Sequence, residues 1–352
     1  MNEIVEILVR LGAGFIVLLI ALYISLLLKG VDRKFAAWLQ ARFGPPIRQP
    51  IYDVKKLLQK ENVVPERAVP WVFNGAPVLA FMASLLLLFF VPLGPVNGVM
   101  EDLGILNPIL SQYGDLILIV YLLAVPGLMM AIGGFASGSP LSTVGAQREM
   151  VMMMSYEFPL AIVVLAIAWK VSNLGTADAF SMGTIADPEN ALWAHAGVGI
   201  LGIIGIALLA IVLFLIIPSE LSKIPFDAPE AETEIGGGII AEYSGSNLAM
   251  FYLADSVKTL AFTALAVAIF FPYNFSPVVE DLFSTTLNEW AAYGIDMVFW
   301  LIKIEVLYFF AVSVIRVGAA RLKIDRLSWL YLVPMSAIAI VGALLLYLDT
   351  LV

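Results

Sequence analysis

The sequence predicts an all-α integral membrane protein of about eight transmembrane helices, with both termini outside and an amphipathic interfacial helix after the first span. Three observations carry this reading. First, 61% of the 352 residues are hydrophobic and mean hydropathy is +0.96, more apolar surface than a soluble fold of this length could hide, so lipid must be the solvent. Second, apolar stretches of spanning length run at 7–28, 73–93, 116–136, 153–171, 197–217, 249–271, 294–316 and 330–348. Third, the cations alternate between the loops. Loop 29–72 carries nine Lys/Arg, and the loops after spans three, five and seven carry Arg148, Lys223, and Arg321, Lys323 and Arg326. Loops 94–115 and 272–293 hold acids and no Lys or Arg, which fits the positive-inside rule with both termini outside.

The first run is long enough to span and carries only Arg10 near its start, so it reads as a helix that stays rather than a cleaved leader. The chain shows no internal repeat and no low-complexity tract, and residues 1–352 read as one helical membrane domain, placed in the cell (plasma or inner) membrane. Within loop 29–72, "IYDVKKLLQKE" puts Ile51, Val54, Leu57 and Leu58 on one stripe and Lys55, Lys56 and Lys60 elsewhere. That pattern predicts an amphipathic helix lying in the interface; the plainer reading is a basic loop that only sets topology.

Composition also excludes functions. A net charge of −9 without long basic runs argues against nucleic acid as a partner. There is no cysteine and a single histidine, His195, set in an outside loop and read as incidental. Iron–sulfur clusters and thiolate-bound nickel therefore have no ligands in this chain, and a histidine-rich metal site is implausible. Any redox centre must sit on other chains.

Ionisable residues inside spans cost roughly 2.5–3.5 kcal/mol each on insertion scales, so each is a functional candidate. Span four has Glu157 just inside its start, after Glu149. Span six has Asp255 and Lys258, three apart and on one face, for which a structural ion pair is the default reading. Span seven has Asp296, close enough to its end to be merely solvated, and Lys303 and Glu305 in mid-span. The densest acids follow span five. In "SELSKIPFDAPEAETEIGGG", residues 219–238, Glu220, Asp227, Glu230, Glu232 and Glu234 share one cation, Lys223.

Partial burial and mutual repulsion raise carboxylate pKa values toward neutrality, which suits proton handling. The segment then continues a proton path from Glu157 toward the cytoplasmic side; alternatively it is a solvated acidic loop. Pro225 and Pro229 stiffen it. Gly236, Gly237 and Gly238 form either a mobile joint or a tight turn.

Three segments together resemble one family. They are "ARFGPPIRQPIYDVKKLLQKE" (41–61), "QREMVMMMSYEFPLA" (147–161) and "SELSKIPFDAPEAETEIGGGIIAEYSG" (219–245), the last with P-F-D-x-x-E-x-E and E-Y-S-G. In that order, on an eight-span chain, they are similar to the quinone-site membrane subunit of respiratory complex I and to its relatives in membrane-bound NiFe hydrogenases and sulfur reductases. The resemblance implies a non-catalytic subunit of a multi-subunit membrane complex. Peripheral iron–sulfur and NiFe-type subunits would carry the cofactors, and antiporter-like membrane subunits would pump ions. It places residues 218–248 as the cytoplasmic coupling loop.

By the same resemblance, acids matching Glu157, Glu220, Asp227, Glu230 and Glu232 form a charged channel. Glu234, Glu242, Asp255, Lys258, Lys303 and Glu305 are candidates for extending it. Arg42, Gly44, Pro45, Pro46, Gln49, Pro50, Asp53, Lys56, Glu61 and Tyr243 would face the redox module. Complex I subunits usually read G-P-N-R-x-G-x-x-G-x-x-Q-P where this chain has the shorter "GPPIRQP", a feature it shares with the hydrogenase-type relatives. A quinone-site subunit of a NADH- or ferredoxin-dependent complex I is the alternative. A free-standing secondary transporter lacks support, since neither repeats nor paired broken helices are evident.

Overall fold

Eight helices are long and apolar enough to cross a membrane, and each covers one of the expected apolar stretches. The computed structural model describes residues 2–95, 115–173, 179–188, 191–193, 199–283 and 288–351. His195 and most of loop 94–115 lie outside the described residues. The order is α1 (Asn2–Leu39), α2 (Gln49–Leu58), α3 (Pro70–Leu87), α4 (Leu116–Ala136), α5 (Pro140–Ser172) and α6 (Ile200–Glu220). Then come α7 (Gly245–Phe270), α8 (Ser276–Phe283), α9 (Glu289–Gly318) and α10 (Ile324–Asp349). Among the described residues there is no strand, only one antiparallel bridge between Asp115 and Ser181. In a bilayer the backbone must satisfy itself, and helices do that within each segment.

The centre of the bundle is α7. Its most apolar stretch is 94% buried, against 33% for α3, α9 and α10. It packs on α1, α3 and α9, while α4 packs on α3 and α5, and α10 on α6. The α6–α10 contact is close because Gly205 and Gly342 face each other. A Cβ on Gly205 would stand 2.8 Å from the Gly342 carbonyl oxygen. Small residues at such crossings let backbones approach, as membrane helix packing requires.

Two helix ends differ from the sequence expectation, and both matter. Residues 29–39 were expected to open the cytoplasmic loop, yet α1 runs unbroken to Leu39 and carries Lys29, Asp32 and Arg33 on its last turns. Nothing stops it earlier: Ala41 takes a left-handed φ of 56°, followed by Gly44-Pro45-Pro46. Likewise α5 begins at Pro140 rather than near 153, since Pro140 supplies a first-turn φ after the left-handed Gly138. Arg148 and Glu149 therefore sit on a helix, not in a loop.

The amphipathic stretch is helical, as α2. Pro50 and Val54 are buried, and Tyr52, Lys55 and Lys56 are exposed. The three glycines form a tight turn. All have positive φ, +61°, +93° and +53°, and a Cβ on Gly238 would lie 2.2 Å from the Pro229 carbonyl oxygen. Only glycine fits there.

Candidate functional site

The acidic segment after α6 folds back as short helical turns, Ala228–Glu230, Glu232–Ile235 and Ile240–Glu242, held at both flanks by arginines. Arg321 grips Asp227 with two bonds, 2.8 and 2.5 Å, and also donates to Thr233 at 2.8 Å. Arg148 on α5 pairs with Glu234 at 2.5 Å. Two-pronged guanidinium contacts fix orientation as well as charge. The loop is thus a built element rather than a free solvated strand.

Beneath it lies a cavity of about 360 Å³ enclosed by α4, α5, α6, α7 and the loop. Its charged lining is Glu149, Glu220, Lys223, Glu230, Asp255 and Lys258. The pairing inside corrects one expectation: Asp255 and Lys258 do not pair with each other. Lys258 meets Glu220 at 2.6 Å, both fully enclosed. Asp255 receives Lys29 from α1 at 2.6 Å and Lys223 from the loop at 2.8 Å. Neighbours on one helix face each found a stronger partner on another element, because a buried charge needs a well-placed counterion. Tyr156, the tyrosine of S-Y-E, hydrogen-bonds the Glu220 carboxylate.

Two carboxylates remain without a cation in contact among the described residues. Glu149 is 1% exposed, its Oε2 has no hydrogen-bond partner, and its Oε1 sits against Gly127, where a Cβ would come within 2.8 Å. Glu230 lines the same cavity from the loop. Burial pushes its pKa up from the ordinary 4.5 to about 7; Lys223 opposes this, while Asp255 and Asp227 add to it. Lys223 goes the other way from what burial alone would do. Asp255 beside it overrides desolvation and raises its pKa, so it stays an ammonium. Four carboxylates thus face Lys223, Lys258 and, behind Asp255, Lys29. The set is one cation short, and a carboxyl near neutrality can take or release a proton there.

The other expected residues divide. Glu157 and Glu242 are half-buried and Glu232 is exposed, none of them lining the cavity. Lys303 is elsewhere: it donates to the Phe271 and Tyr273 carbonyl oxygens at 2.9 and 2.8 Å, closing the end of α7. Asp296 is not merely solvated. It is 1% exposed and caps α8, accepting from Phe275 N, Ser276 N and Ser276 Oγ at 2.7–2.8 Å. Glu305 faces a separate groove between α1 and α9.

Of the residues expected at the redox-module face, Arg42, Pro45, Pro46, Lys56 and Glu61 are exposed, and Gly44 and Gln49 are half-buried. Pro50 is buried under α2. Asp53 accepts from Arg33 at 2.8 Å and Gln49 at 2.9 Å, which holds its pKa low despite some burial. Arg33 also bonds the Tyr252 hydroxyl, so α2 is strapped to both α1 and α7. Tyr243 is a core residue: it is buried, stacked on Phe73 at 4.1 Å, with its hydroxyl on the Phe73 carbonyl oxygen.

Sequence reasoning left Lys29, Asp32 and Arg321 out of the site. Lys29 completes the Asp255 cluster. Asp32 pairs with Arg316 at 3.0 Å and accepts from Ser313 at 2.5 Å. The usable signal was the absence of any breaker between Leu28 and Leu39, which continues the helix and lines up positions 29, 32 and 33.

A bundle of eight spanning helices around a closed cavity of ion pairs, roofed by a clamped acidic loop, defines a polytopic membrane subunit built to hold charge inside the bilayer. The sequence matches the NADH dehydrogenase family over residues 13–346, and the chain belongs to that family. The H subunit of NADH-quinone oxidoreductase from Anaplasma phagocytophilum (strain HZ) is 28% identical over 356 residues, covering 96% of this chain and 97% of that one. Among solved structures, a chain of the membrane-bound sulfane sulfur reductase, an archaeal respiratory membrane complex, superposes with a TM-score of 0.78. It is 26% identical, over 96% of this chain and 99% of that chain. The protein is thus a membrane component of a complex I-related redox assembly, of the type that the Anaplasma protein represents.

Proposed function

We propose that this chain is the non-catalytic coupling subunit between a peripheral redox module of hydrogenase or sulfur reductase type, driven by ferredoxin, and antiporter-like subunits in the membrane. The observation that carries the reading is the cavity, where charges from α1, α5, α6, α7 and the acidic loop meet. The loop and the exposed segment 41–48 lie on the cytoplasmic side, under the redox module, with both termini outside. Redox turnover shifts charge or position in the clamped loop, Glu230 gains or loses its proton, and the change passes to Glu149, Glu220 and the Asp255 cluster. The arginine clamps at Asp227 and Glu234 make the loop move as a unit. The chain supplies no redox centre; NiFe and iron–sulfur groups belong to partners.

The test is Glu230→Gln, with Asp227→Asn beside it, in the intact complex. Both variants should keep the full set of subunits and the redox rate of the peripheral arm while losing ion pumping. Pumping at normal stoichiometry in both would sink the proposal. The likeness to a NADH-quinone oxidoreductase subunit supports a second reading, in which the cavity's apolar wall, formed by Leu57, Met130, Leu248 and Phe251, receives a quinone head group. That reading predicts inhibition by quinone analogues and quinone retained on purification. The charged lining and the short "GPPIRQP" favour the first.

A further inference from the structure

Glu305 has no role in the cavity. It stands on α9, sixteen residues from Glu289 and thirteen from Gly318, so roughly 20 Å of helix separates it from either end. Both of its carboxylate oxygens are buried, and neither has a hydrogen-bond partner. It is the one charged residue in the described lining of a groove of about 440 Å³, whose walls are Phe35, Trp38 and Leu39 of α1 and Val306 and Phe309 of α9. No cation among the described residues pairs with it. The nearest charge on the facing helix is Asp32, a second carboxylate that repels it and is already matched by Arg316 and Ser313. Lys34 lies over the Trp38 ring instead.

The outer lips of the groove are exposed and apolar: Trp38 is 57% exposed, Val306 48% and Phe310 53%. An acyl chain would fill the space but leave a carboxyl with nothing to bond, in a medium where each unsatisfied polar group costs several kcal/mol. Lipid headgroups belong to the interfaces, far along α9 from Glu305. A side chain that is apolar along its stem and donates at its tip meets both halves of the site.

We infer that the α1–α9 groove is the seat of a transmembrane helix from a partner membrane subunit, which inserts a Lys, Arg or His side chain to pair with Glu305. This rests on the chain working as one subunit of a membrane complex, and it gives the complex a contact point laterally separate from the cavity. The groove is complete only in the assembly.

The experiment uses the intact complex with a photo-crosslinking amino acid at position 306 and no other change. The expected result is a crosslink to a copurifying multi-pass subunit, mapped to a helix with a Lys, Arg or His within one turn. Crosslinks to lipid alone, or to a helix lacking such a residue, overturn the inference. As a second arm, Glu305→Lys should strip that subunit from the purified complex, whereas Glu305→Gln should keep it with a lowered crosslink yield. Full retention of the subunit in Glu305→Lys also overturns it. Because the readout is composition and contact, a normal crosslink beside defective pumping, or the reverse, separates this inference from the relay proposed for the cavity.

Discussion

The cavity under the acidic loop and the α1–α9 groove both bury carboxylates, but they complete them differently. In the cavity region Glu220, Asp255, Asp227 and Glu234 each have a cation at 2.5–2.8 Å, drawn from a different element of the same chain. In the groove Glu305 has none among the described residues, and its surroundings are aromatic and aliphatic. A buried ion pair stabilises only if both members are present and well hydrogen-bonded; removing one leaves a desolvated charge. The first region is therefore self-sufficient and tunable, since its surplus of one carboxylate can be met by a proton. The second is unfinished, and its deficit is a statement about assembly.

The sharpest way to break this contrast is Lys258→Met. It leaves Glu220 enclosed without its ammonium, and the expected loss is about 3–5 kcal/mol, read as a large drop in thermal midpoint of the purified complex. Adding Glu220→Gln to it should restore most of the loss, because the stranded charge is then gone. Glu305→Gln, by contrast, should leave the helices of this chain as stable as before and weaken only the complex. Equal losses from Lys258→Met and Glu305→Gln, measured side by side, would erase the distinction between the two regions.

How far the sequence shows this contrast depends on which force sets each feature. The eight spans were legible, because lipid forces long apolar runs into helices whatever their tertiary partners. The clamped segment 219–238 was legible as a dense patch of acids. The pairings were not. Lys29 and Asp255 are 226 residues apart, and Asp32 meets Ser313 across 281. Nothing local selects those partners over the i, i+3 neighbour Lys258. Helix ends were equally hidden, since α1 and α5 extend through polar residues that hydropathy assigns to loops, and that displacement alone hid Lys29 from view. Glu305 was seen as an ionisable residue in mid-span, but a one-dimensional reading cannot tell a cavity wall from an outer groove.

A second prediction sharpens the tunability of the cavity. Glu230 has a folded pKa of about 7 against an ordinary 4.5, so between those values the folded protein binds more protons than the unfolded chain. Its contribution to stability is therefore greatest below pH 4.5, falls as pH rises through the window, and is flat above about pH 7. Glu230→Gln should remove that slope, seen as a flatter pH dependence of the thermal midpoint. If Glu230 is also the exchanging group, the pH profile of pumping should lose an inflection near neutrality in the same variant. A slope unchanged by Glu230→Gln would transfer the titration to another group. Glu149, Asp255, Asp227, Lys223 and Lys29 all act on this position and are the ones to vary next.

The smallest effect is expected where a charge pair has water at its edge. Arg33 and Asp53 meet at 2.8 Å, yet each side chain is 35% exposed. Solvent screens such pairs, and Asp53→Asn should cost under about 1 kcal/mol, with the asparagine still able to accept from Arg33. The same substitution removes the carboxylate that Gln49 shares, so its trace should appear as faster hydrogen exchange confined to Gln49–Leu58 while the thermal midpoint barely moves. A loss as large as that from Lys258→Met would mean that α2 is held chiefly by this one pair. The buried Val54, packed with Leu26 and Leu253, argues against that, because apolar burial under the helix survives the loss of the charge.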